Sequence, residues 1–126
     1  MDKVVHFEVP PDDLKRAQDF YNQVFDWKIN VTDLEGYAIV NTGPTDQQGM
    51  NQEPGFINGG LTKRGQPVQH PVVTIDVKSI EEVGKKIEAH GGKMMGEKMP
   101  VGDMGFAAYF TDSEGNMMGL WETAKK

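Results

Sequence analysis

Apolar positions along this chain switch between two periods, and the switching happens twice. Residues 4–9, VVHFEV, repeat with period two, so Val5, Phe7 and Val9 share one face of a strand while His6 and Glu8 share the other. In PPDDLKRAQDFYNQVFDW the apolar residues Leu14, Ala17, Phe20, Tyr21, Val24 and Phe25 recur at helical spacing, which predicts a helix with one apolar stripe. Pro10 and Pro11 precede it, and Asp12 or Asp13 can cap its N-terminus. Two extended runs follow, WKINVT and GYAIVNT, split by the turn-like DLEG. The stretch GPTDQQGMNQEPG has no period and reads as a surface loop; FINGGLTK reads as another strand. RGQPVQHP reads as a linker, and then the order repeats. PVVTIDV is a strand with Val73, Ile75 and Val77 on one face. SIEEVGKKIEAHGG is a helix opened by a Ser79–Glu82 capping box, striped by Ile80, Val83 and Ile87, and stopped by Gly91 and Gly92. KMMGEKMP, GFAAYFTD and NMMGLWET are the remaining strands, with a DSEGN turn between the last two.

The pattern is therefore β-α-β-β-β, twice. An offset of 66 sets His6 on Val72, Leu14 on Ile80, Ala17 on Val83 and Tyr21 on Ile87. At the last strand the offset is 59, placing Gly60 and Leu61 on Gly119 and Leu120; the difference falls in the polar loop of the first half. The expected fold is α+β. A single domain spans 1–126, built of two tandem βαβββ modules (1–64 and 70–126) that form a curved, mostly antiparallel sheet cleft with helices outside.

Composition narrows the function classes. At 126 residues the chain is near the commonest domain size. No apolar run approaches the roughly 20 residues of a membrane span, and MDKVVHFEV begins a strand at once, without signal-peptide features. A cytoplasmic location with no membrane partner is expected. Net charge is −6 with both signs interspersed; without a basic stripe, nucleic acid is not an expected partner. There is no cysteine, so disulfides and thiolate metal sites are excluded, and any metal site must draw on carboxylates and three histidines.

Three stretches, HFEVPPDDLKRAQDFYNQVFDW, EAHGGK and FTDSEGNMMGLWE, together resemble the vicinal oxygen chelate superfamily, and the resemblance covers essentially the whole chain. That superfamily includes glyoxalase I, extradiol dioxygenases, methylmalonyl-CoA epimerase, fosfomycin-modifying transferases and bleomycin-sequestering proteins. Its metal enzymes hold one divalent ion with histidines and glutamates from the first and last strand of each module. Carried onto this chain, those positions are His6, Gly60, Val72 and Gly119, of which His6 alone has a ligand atom. A shifted set would join His6 with Glu8, His70 or Asp76. His70, however, lies two residues before Val72, about 6.6 Å along a strand, whereas a zinc–nitrogen bond is about 2.0–2.1 Å.

The resemblance thus implies a glyoxalase/bleomycin-resistance-like protein that binds a small organic molecule, aromatic ones included, as a homodimer and without a cofactor. The alternative it implies is a lyase, isomerase or dioxygenase dependent on Zn, Ni, Mn or Fe held around His6. His6 reads either as a neutral, hydrogen-bonded histidine or as a ligand. Glu8 reads either as a paired carboxylate or as a candidate general base. The expected binding cleft is lined by His6, Glu8, Gly60, Val72, Thr74, Gly119 and Trp121, with Gly60 and Gly119 opening floor space beside the Trp121 indole. Tyr37 and Tyr109 carry hydroxyls whose strand phase the pattern leaves open.

Overall fold

The computed structural model describes residues 1–125 apart from Leu34, Gly49 and Gln66. Those three, within the expected DLEG turn, polar loop and linker, and the terminal Lys126 lie outside the described residues. Among the described residues the chain forms two helices and nine strands, an α+β fold. It divides into two compact units, His6–Val72 and Met1–Val5 with Val73–Lys126. No helix among the described residues is long and apolar enough to cross a membrane.

The first unit takes in β1 (Lys3–Val9) from His6 onward, α1 (Leu14–Phe25), β2 (Lys28–Val31), β3 (Tyr37–Asn41) and β4 (Gly59–Thr62), with strand order β2-β3-β4-β1. β1 and β4 run parallel; β2–β3 and β3–β4 are antiparallel. Asp13 rather than Asp12 caps α1, its carboxylate accepting the Arg16 N–H at 3.0 Å. At the other end Asp26 adopts a left-handed conformation (φ 61°) and donates its N–H to the Asn22 carbonyl. Ala38, Val40 and Leu61 are fully buried, and Phe7, Val9, Leu14 and Ala17 pack against them. Burying a leucine of this kind contributes roughly 1.5–3 kcal/mol.

The apolar stripe expected on α1 is wider than the sheet it covers. Leu14, Ala17 and Tyr21 pack inward, and Tyr21 stacks on Trp27 at 5.0 Å. Phe20, Val24 and Phe25 stay more than half exposed, at 54%, 56% and 56%. Successive helical residues turn by about 100°, so a neighbour of an inward residue such as Tyr21 points away.

The second unit takes in β5 (Val72–Asp76) from Val73 onward, α2 (Ile80–Ala89), β6 (Lys93–Met94), β7 (Met99–Val101), β8 (Gly105–Thr111) and β9 (Met117–Thr123). β5 and β9 run parallel, β9 pairs β8 antiparallel, and β6 and β7 share the far edge of β8. The single strand expected over KMMGEKMP is thus two short ones, and Gly96 between them takes a left-handed φ of 88°. Ser79 caps α2 by accepting the Glu82 N–H at 3.2 Å, and the Ile80 N–H goes to Glu122 Oε1 at 2.7 Å. Val77, Ile80, Ala108, Phe110 and Leu120 form the core beneath this helix.

Both units join their first and last strands in parallel, and the registers match. Glu8 pairs with Gly60, and Thr74 pairs with Gly119. Offsets of 66 and 59 carry one pair onto the other, as the repeat predicts. The extra residues of the first half form a folded loop. Its Asp46 carboxylate accepts the N–H groups of Gln48 and Met50 at 2.9 Å each, and Asn58 donates to Asn51 at 2.8 Å.

Candidate functional site

Alternation assigns the two faces of the first unit's sheet. Phe7, Val9, Ala38, Val40 and Leu61 face α1, so His6, Glu8, Tyr37, Ile39, Gly60 and Thr62 occupy the opposite face. The expected pairing of His6 with Glu8 on one side of β1 holds. The same rule settles Tyr37, whose phase the sequence left open: it stands on the Glu8 side.

These groups form a polar cluster in which Glu8 is buried and His6, Tyr37 and Thr62 are half-buried. Glu8 is only 8% exposed, and the Thr62 hydroxyl donates to its Oε2 at 2.7 Å. Burial pushes the His6 pKa below the ordinary histidine value, and the nearby Glu8 charge opposes that shift only in part. His6 is therefore a neutral imidazole at pH 7. Burial, reinforced by the Glu8 charge, pushes the Tyr37 hydroxyl up to about 12, so Tyr37 keeps its proton. One face thus combines a carboxylate acceptor, a phenol donor and an imidazole able to do either.

Gly60 does not leave the open floor that its missing side chain suggested. Tyr37 lies on it: a Cβ placed at Gly60 would sit 2.5 Å from the Tyr37 hydroxyl oxygen and 2.7 Å from its ring. In the second unit the same correction applies at Gly119, where a Cβ would sit 2.6 Å from the Thr74 Oγ1. Trp121 is half-buried on the face of Gly119 and Met117, as alternation predicts, with its indole N–H on Thr123 at 3.1 Å. Its ring covers Gly105, where a Cβ would meet Cζ2 at 2.7 Å. Val72 is buried, and Asp76 lies on the Thr74 side of β5.

Register also says what stands at each polar position in the second repeat. His6 corresponds to Val72, Glu8 to Thr74, Thr62 to Trp121 and Tyr37 to Ala107. The histidine, carboxylate and phenol of the first face thus have no counterpart at their own register positions, although Thr74, Asp76, Tyr109 and Thr123 share the second face.

The residues present do not fit a resident divalent ion. Gly60, where the resemblance would put a ligand on the last strand of the first unit, has no side chain, and the Tyr37 ring occupies the room a donor there would need. His70 is exposed outside any strand, and Glu122 faces α2, where it accepts the Ile80 N–H. Among the described residues no three histidine or carboxylate side chains are grouped to hold an ion. Sequence reasoning left the face of Tyr37 open and missed Thr62 as its neighbour. The alternation of GYAIVNT about the buried Ala38 and Val40 is the signal for Tyr37, and the two-residue step from Gly60 is the signal for Thr62.

Residues 3–43 match the family model of the bleomycin resistance protein-like N-terminal domain. A hypothetical protein of Bacillus halodurans C-125 has the same architecture, with a TM-score of 0.68 and 19% identity over 99% of this chain and 96% of that one. A Streptomyces coelicolor methylmalonyl-CoA epimerase, solved with 2-nitronate-propionyl-CoA, gives 0.65 and 14% over 98% of both chains. The Mycobacterium tuberculosis methylmalonyl-CoA epimerase gives 0.57 and 15% over 98% of this chain and 88% of that one. This is the vicinal oxygen chelate fold. Over residues 3–43 the chain is similar to the bleomycin resistance protein-like family; over the rest the likeness is one of fold. Among curated proteins none matches the sequence.

Proposed function

We propose that the chain is a metal-independent binding protein for a small, uncharged organic molecule, held on the first unit's His6–Glu8–Tyr37 face. The observation that carries this reading is the Tyr37 ring lying on Gly60. It replaces a potential ligating side chain with a neutral hydrogen-bond donor beside a carboxylate. A small-molecule site needs a few placed polar groups in an apolar surround. Here Glu8, oriented by Thr62, accepts a ligand hydrogen, Tyr37 donates to a ligand oxygen, and neutral His6 completes the polar set. Ile39, the register partner of Gly60, is 43% exposed and adds apolar contact beside them. Homodimerisation and a cytoplasmic location belong to the same proposal; light scattering on purified protein checks the first.

The test combines element analysis with ligand-induced stabilisation. Purified protein is expected to hold no stoichiometric Zn, Ni, Mn or Fe. Acetophenone, an uncharged aromatic carbonyl compound, should raise the Tm equally before and after treatment with EDTA. The rise should shrink in His6→Ala. Stoichiometric metal that disappears in His6→Ala would overturn the reading in favour of a metal-dependent lyase, isomerase or dioxygenase. No stabilisation in any condition would reduce the face to a structural feature.

A further inference from the structure

Tyr37 does more than fill space. Its hydroxyl lies over Gly60, and Gly60 is the parallel-register partner of Glu8. Neighbouring strands run about 4.8 Å apart, so the phenol donor and the strand position carrying the carboxylate are about 5 Å apart, side by side. A pair of groups in that relation, one donor and one anionic acceptor, is met by a ligand with an acceptor and a donor on adjacent positions.

We propose that Tyr37 is the specificity-determining residue of this face and selects an uncharged amide, whose carbonyl takes the Tyr37 hydroxyl and whose N–H donates to Glu8. This rests on the reading of the face as a small-molecule site and adds the ligand class. Three features of the structure favour an amide. A carboxylate ligand would face Glu8, a like charge buried to 8% exposure. A ketone satisfies Tyr37 but leaves Glu8 without a ligand hydrogen. A primary or secondary amide serves both groups and lays its apolar part against Ile39, which is exposed next to Gly60. Register removes the arrangement from the second unit, where Ala107 replaces Tyr37 and Thr74 replaces Glu8.

Calorimetric titration with benzamide, N,N-dimethylbenzamide and benzoate tests the selection. Benzamide is expected to bind most tightly, and N,N-dimethylbenzamide and benzoate each at least about fivefold more weakly. Tyr37→Phe keeps the ring and removes the donor, so it should weaken benzamide about five- to tenfold, the effect of one neutral hydrogen bond. Its near-ultraviolet circular dichroism should stay close to wild type. Gly60→Ala, which pushes on the Tyr37 hydroxyl, should weaken benzamide too while leaving the fold intact. Equal binding of benzamide and its dimethyl analogue, or benzamide binding indifferent to Tyr37→Phe, would overturn the inference. So would the failure of all three probes to bind. None of these outcomes bears on acetophenone binding or on metal content, which judge the broader reading separately.

Discussion

The two units share a scaffold and differ in what they place on it. Under each helix the cores correspond: Leu61 and Leu120 occupy equivalent positions and are 0% and 1% exposed. On the opposite faces the correspondence fails at every chemically active residue. The first repeat carries His6, Glu8, Thr62 and Tyr37; the second carries Val72, Thr74, Trp121 and Ala107 at the same register positions. The repeat holds where residues bury apolar area and fails where the first unit is polar. Even the glycines common to both faces serve different neighbours, since Gly60 receives a phenol and Gly119 a threonine hydroxyl.

If the cores are equivalent, damage to them should be equivalent. Leu61→Ala and Leu120→Ala should each cost about 2–5 kcal/mol in urea unfolding, the usual range for a buried leucine. A cost confined to one of them would break the correspondence. Next in size, Gly60→Ala and Gly119→Ala force a methyl group against Tyr37 and Thr74, and overpacking of this sort costs about 1–3 kcal/mol. Only Gly60→Ala should also change the titration of a tyrosine.

The alkaline limb sharpens the contrast further. Tyr37 titrates near 12 in the folded chain against about 10 unfolded, so between those values the folded state holds the extra proton. Stability should therefore decline as pH rises from about 10 to about 12. Absorbance at 295 nm should show a late-titrating tyrosine that Tyr37→Phe removes. The acid limb is expected to be smaller. The folded pKa of His6 lies below its unfolded value of about 6.5, so the unfolded chain binds more protons below that pH. Stability should be full above about 6.5 and fall as pH drops from there toward the folded value. In His6→Gln that part of the decline should vanish, which unfolding midpoints at pH 7 and pH 5 can check.

Much of this was legible in the residue pattern. Period two placed His6 and Glu8 on one face and Phe7 and Val9 on the other. It also set Trp121 with Gly119 and against Glu122, and the repeat offsets coincide with the observed register. Helix signals marked Ser79 as a cap. The site's interior was not legible, because periodicity assigns a face but not the neighbour that fills a volume. Tyr37 reaches Gly60 only because β3 and β4 pair with Ile39 opposite Gly60, and the Thr62–Glu8 bond joins residues 54 apart. A glycine in the sequence reads as space; in the folded chain that space belongs to whichever side chain the register brings over it. The same limit hid that Phe20, Val24 and Phe25, members of the apolar stripe on α1, stay more than half exposed.

Chemical-shift mapping of isotopically labelled, EDTA-treated protein titrated with benzamide probes the central contrast most directly. Amide shifts should concentrate at His6, Glu8, Tyr37, Gly60 and Thr62 and be lost in Tyr37→Phe. Shifts centred instead on Thr74, Gly119 and Trp121, or appearing only after a divalent metal is added, would contradict it.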